Sequence, residues 1–149
     1  GYVLGDEASG SYFGKIMLSS FLYNIMPQDL SDLFYNTYKV DRESILSSVY
    51  NQPDANVYLA SFMKFASANK EHRWIKDMIY DGIKKFTEIH ITSHPEYKDV
   101  PVNFVGSIAY YFNDELNLVA HEFGFTIGRI VKKPIESLVE YHQKNNVEV

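Results

Sequence analysis

The sequence predicts an α/β chain that is mostly helical, with a small β-α-β-α unit at its C-terminal end. Three observations lead there. Apolar residues recur at helical spacing through most of residues 9–93. Two short β-type runs, Val102–Val105 and Phe125–Val131, bracket a helical stretch, and a further helix follows the second. That order is the pattern of parallel strands joined by a crossover. Two strands make a poor sheet by themselves, so further strands are expected upstream of Gly1. A chain of 149 residues with 46% hydrophobic content has room for a real core.

The elements follow in order. Gly1-Tyr2-Val3-Leu4-Gly5-Asp6-Glu7-Ala8-Ser9-Gly10 reads as a strand end running into a turn. A domain that opens inside such a motif is expected to be a piece of a longer protein. A helix over roughly 9–25 carries Phe13, Ile16, Met17 and Ser20 on one face and stops at Pro27. Leu30, Leu33 and Phe34 mark a second helix, and Asp41 is a good N-cap for a third bearing Ile45, Leu46 and Val49, which Pro53 ends. Leu59, Phe62, Met63 and Ala66 recur as in one amphipathic helix. A long helix over about 70–92 places Ile75, Met78, Ile79, Phe86 and Ile89 inward, Trp74 packs at its start, and His94-Pro95 breaks it. Ile108, Phe112, Leu116, Val119, Ala120 and Phe123 lie on one helix, with Gly124 as its stop. Pro134 suits the first turn of a last helix carrying Ile135, Leu138, Val139 and His142.

Composition excludes several classes. With 14 basic against 19 acidic residues the net charge is -5, which argues against nucleic-acid binding. The pairs Lys84-Lys85 and Lys132-Lys133 read as solvated faces. No apolar run is long enough to span a bilayer. There are no cysteines, so disulfides, thiolate nucleophiles and Cys-based zinc sites are excluded. No N-terminal secretory pattern is present, and the expected location is the cytoplasm. His90 and His94 are spaced for a metal on a helix, but Pro95 follows directly and no third ligand is apparent, so no metal site is expected. His121-Glu122 reads as a surface pair.

Two glycine turns are the candidates for chemistry. The turn holding Gly1, Gly5, Asp6, Glu7 and Gly10 leads into a helix; its amides and carboxylates suit a polar ligand, and the alternative is a plain turn with capping acids. Val105-Gly106-Ser107 sits where a strand gives way to a helix, the place at which ligands of α/β sheets gather; the alternative is a well-made turn. Tyr110-Tyr111-Phe112 reads as core first and as a stacking surface for a base second.

Read together, the two turns resemble those of the N-acetylglucosamine-kinase-like ATPases, within the superfamily of sugar kinases, actin and heat-shock ATPases. The resemblance covers the chain as the C-terminal half of a family member. The first motif matches a family pattern G-x-x-L-G-D-E-G-S-G, and Val102-Asn103-Phe104-Val105-Gly106-Ser107-Ile108-Ala109-Tyr110 matches the family's adenosine-contacting strand and turn. Lys132-Lys133-Pro134-Ile135-Glu136-Ser137-Leu138 looks like the closing segment of a kinase subgroup.

The resemblance implies a C-terminal RNase H-like, actin-like ATPase domain with a large helical insertion (9–93), completed by residues 100–149 and by a missing N-terminal lobe. It implies ATP and Mg2+, an amino-sugar substrate, and substrate contacts from Gly1, Gly5, Asp6, Glu7 and Gly10, with Asp6 on the sugar and Gly10 near its N-acetyl group. Gly106, Ser107 and Tyr110 would then line the nucleotide. No catalytic residue is expected here, because the phosphate loops and general-base aspartate of the family have no match in residues 1–149. The chain alone is therefore expected to be inactive. Ala8 stands where the family has Gly. The helical region suggests a possible homodimer face. An activator ATPase of a dehydratase system and a non-catalytic nucleotide-binding protein are the alternatives; the absence of cysteine counts against the first.

Overall fold

The computed structural model describes residues 8–51, 54–132 and 146–148. Among these lie eight α-helices, a π-helical turn and three strands. The chain divides into two compact units. One is Gly10–Ile75; the other is Lys76–Val149, joined by the described Ala8 and Ser9, so the division falls inside one helix.

The first unit is helical. Helix α1 spans Gly10–Leu22 and buries Phe13, Met17 and Leu18. Asn24 then turns the chain in the left-handed region, φ 58°, which Asn tolerates. Helix α2 (Gln28–Tyr38) follows Pro27 and ends at Lys39, whose N–H bonds the Tyr35 carbonyl at φ 52°. A lysine there carries strain of about 1 kcal/mol, partly offset by the exposed cation–π contact of Lys39 with Tyr35, worth about 0.5 kcal/mol. Lys39→Gly is therefore expected to stabilise the protein by about 0.5 kcal/mol, measured by denaturant unfolding; a loss of stability would contradict this geometry.

Asp41 caps α3 (Arg42–Asn51) as the sequence predicts. Its carboxylate accepts the Ser44 N–H at 2.8 Å, while the Ser44 hydroxyl accepts the Asp41 N–H at 3.0 Å. The Ser44 backbone bond holds the Asp41 carboxyl below its usual pKa. Ile45 is buried, but Leu46 is exposed. Pro53 lies outside the described residues.

The single helix expected over Leu59–Ala66 is in fact two, α4 (Ala55–Ala60) and α5 (Met63–Ala68). The Ser61 hydroxyl bonds back to the Tyr58 carbonyl, and Phe62 N–H reaches only to Leu59, so the spiral tightens and breaks. The kink delivers Phe62 and Phe65 to Phe34, whose ring lies 5.5 and 5.1 Å from theirs and 5.0 Å from Phe21. These rings form the core of the unit.

Helix α6 (Arg73–Phe86) opens with the His72 ring. Its Nδ1 accepts the Trp74 N–H, and its Nε2 lies 3.1 Å from Asp29 on α2. The helix then widens into a π-turn, Thr87–Ile91, where Thr92 N–H bonds Thr87 five residues back and buried Thr87 bonds the Ile83 carbonyl. That change of pitch rotates Ile89 outward, 44% exposed, contrary to the inward position expected from unbroken periodicity.

The second unit holds the sheet. Strands β1 (Val102–Val105), β2 (Ile127–Val131) and β3 (Asn146–Glu148) are parallel in the order β2-β1-β3. Sequence reading finds the first two and misses β3, a three-residue strand too short to show periodicity. A strand from the C-terminal end of the chain thus lies beside β1. The register slips by one residue where Gly128 and Arg129 of β2 face Asn103 of β1, whose side-chain oxygen accepts the Arg129 N–H at 2.8 Å.

The crossover expected as one helix is α7 (Ser107–Tyr111) and α8 (Asn113–Phe123), separated at Phe112, whose φ of -118° leaves the helical region while its ring stays buried. Gly124 closes α8 at φ 77°, its N–H on the Ala120 carbonyl. Phe104, Ile79, Ile83, Phe86, Leu116 and Val119 form this unit's core. The helix expected from Pro134 lies outside the described residues. Among the described residues, no helix is long and apolar enough to cross a membrane.

Candidate functional site

Parallel strands all end on one side of a sheet, and the turns that leave them there are free to meet a ligand. In this chain β1 and β2 end together: the Gly106 N–H bonds the Val131 carbonyl at 2.8 Å, tying the turn after β1 to the last residue of β2. Gly106 has φ 135° and ψ 165°, a conformation open in practice only to glycine. This turn is therefore more demanding than the ordinary strand-to-helix turn weighed as its alternative.

Ser107, exposed, begins α7, and Tyr110 and Tyr111 end it. Both tyrosines lie open, at 47% and 40% exposure, which corrects the reading that placed them in the core; only Phe112 of that run is buried. Their rings stand edge to face, centroids 5.1 Å apart. The first residue after β2 is Lys132. Its ammonium donates a hydrogen bond to the Tyr111 hydroxyl and lies 4.9 Å from the Tyr111 ring centre and 5.8 Å from that of Tyr110. The bond to Tyr111 and the electrostatic interaction with it raise the Lys132 pKa above its ordinary value.

Gly106, Ser107, Tyr110, Tyr111 and Lys132 thus share the carboxyl end of the two strands. Sequence reading names the first three. It offers Tyr111 only through the second reading of the aromatic run 110–112, and it assigns Lys132 to a solvated face because nothing local shows that β2 ends against α7.

The other turn is described only in part. Gly1, Gly5, Asp6 and Glu7 lie outside the described residues. Ala8 is buried with φ 63°, so the position where the family pattern has glycine is left-handed in this chain, at a cost near 1 kcal/mol for alanine. Gly10 belongs to the helical unit. A Cβ on it would lie 3.1 Å from that of Ala60, which gives this glycine a packing role at the α1–α4 contact.

His90 lies against Phe86, with centroids 5.0 Å apart. His121 and Glu122 are exposed, as expected, and Glu122 accepts a hydrogen bond from the Tyr80 hydroxyl at 2.6 Å. Among the described residues no three His, Asp or Glu side chains gather to hold a metal ion.

No family model matches the sequence, and no curated protein matches it. Among solved structures the chain is similar to a crystal structure from Porphyromonas gingivalis described as a "Putative N-acetylglucosamine Kinase". The TM-score is 0.82 at 30% sequence identity, over 95% of this chain and 50% of the other. The chain therefore spans about half the length of that protein.

Proposed function

We propose that this chain is the C-terminal half of an ATP-dependent sugar kinase acting on N-acetylglucosamine or a related amino sugar in the cytoplasm. The observation that carries the reading is the glycine-only turn at the joined ends of β1 and β2, in a chain of which 95% aligns, at 30% identity, with half of the P. gingivalis protein. Gly106, itself buried, sets the turn through a backbone conformation that only glycine adopts readily, exposed Ser107 offers a hydroxyl, and the exposed Tyr110 offers a ring face for the base. Magnesium would arrive on the ATP phosphates.

The first turn would hold the sugar. A carboxylate such as Asp6 fixes hydroxyl groups through directional charge-assisted hydrogen bonds, with Gly1, Gly5 and Glu7 in the same turn. The general base that deprotonates the attacking hydroxyl has no match in residues 1–149 and is assigned to an N-terminal lobe, which also supplies the phosphate loops.

In the full-length protein, Asp6→Ala is expected to raise the sugar KM at least about tenfold, the worth of one charge-assisted hydrogen bond, while the ATP KM stays within about twofold. Unchanged sugar kinetics would remove Asp6 from the site.

A further inference from the structure

We infer that Lys132 is a positioning residue for nucleotide binding, holding Tyr110 and Tyr111 as an edge-to-face pair that sets the Tyr110 ring ready to stack on the base. The inference rests on the nucleotide reading above and extends it by giving Lys132 a role toward Tyr110 and Tyr111.

Tyr110 and Tyr111 are exposed at the end of a five-residue helix, and exposed side chains exchange rotamers readily. Ordering such side chains on binding costs affinity. Lys132 removes that cost in advance. It comes from a different element, the end of β2, and holds both rings from one point: a hydrogen bond to the Tyr111 hydroxyl, and an ammonium within cation–π range of each ring. The Gly106–Val131 bond fixes the two strand ends from which the lysine and the tyrosines extend. Among the described residues no carboxylate pairs with Lys132, so its interactions go to the tyrosines. Tyr110 stays exposed, as a residue that stacks on a base requires.

The same lysine would act differently if it met the ligand's phosphates. A phosphate contact would be lost from ATP alone, whereas a platform serves every ligand that carries the base. The test is calorimetry on the full-length protein with magnesium-ATP, and with adenosine in competition, for wild type, Lys132→Met and Lys132→Arg. Lys132→Met is expected to weaken ATP and adenosine equally, by about fivefold, the worth of one exposed cation–π anchor. Lys132→Arg is expected to restore both, because a guanidinium also stacks on aromatic faces. Lys132 is exposed, so Lys132→Met should lower the unfolding midpoint only by the small amount its contacts with the tyrosines contribute, and Lys132→Arg should restore it.

A loss for ATP with adenosine unchanged would overturn the inference in favour of a direct phosphate contact. Unchanged affinity for both in Lys132→Met would overturn it as well. A wild-type protein that binds neither ligand overturns the nucleotide reading itself, a result seen before any variant is compared.

Discussion

Gly14→Ala is expected to destabilise the helical unit by about 3 kcal/mol or more. Helices α1 and α4 meet through a stripe of small residues, Gly10 and Gly14 one turn apart on α1 and Ala60 on α4. A Cβ on Gly14 would lie 1.9 Å from the Leu59 carbonyl oxygen and 2.6 Å from its carbon. The obstructing atoms are backbone, so no rotamer change relieves the clash, and the helices must separate. Separation would also disturb the turn at Ser61 and Phe62 that brings Phe62 onto Phe34. Gly10→Ala is milder, because its Cβ would meet a side-chain methyl at 3.1 Å. Lys15→Ala, on an exposed position of α1, serves as the control and should stay within about 0.5 kcal/mol. Denaturant unfolding of the three variants checks the order; a Gly14→Ala protein as stable as wild type would contradict the close approach of the two helices.

Gly106→Ala is expected to cost about 2 kcal/mol in stability and to weaken ATP binding at least about tenfold. At φ 135° and ψ 165° an alanine is strained whatever space surrounds it, and the chain relieves the strain by rotating the turn. That rotation breaks the bond to the Val131 carbonyl and moves Ser107, Tyr110 and Tyr111 away from Lys132. Gly124→Ala separates the two effects. It places alanine in the left-handed C-cap of α8, costs about 1 kcal/mol, and should leave nucleotide affinity unchanged. Calorimetry and thermal unfolding of both variants provide the comparison. Equal ATP affinity in Gly106→Ala and wild type would remove the turn from the nucleotide site.

What the sequence made legible was local. Asp41 announces α3 because an acid three residues before a serine can exchange bonds with it, and Gly124 announces the end of α8 because the left-handed cap favours glycine. Both signals depend on neighbours only. The breaks at Ser61, Thr87 and Phe112 were not legible, since apolar spacing continues through them while side-chain-to-backbone bonds and ring burial redirect the chain. The site divides in the same way. Gly106 and Ser107 stand out by position after a strand. Lys132 acquires its place only when β2 pairs with β1, twenty-one residues beyond Tyr111 in sequence, and periodicity carries no information about that meeting. The same limit explains why a run of three aromatic residues read as core, although only Phe112 turns inward.

The measurement that tests the central claim most directly is ADP release by the full-length protein with magnesium-ATP and a panel of sugars: N-acetylglucosamine, N-acetylmannosamine and glucose. The account predicts release that depends on sugar and is strongest with an N-acetylated amino sugar. ADP release that is the same with and without sugar, or no release with any of the three, would contradict it.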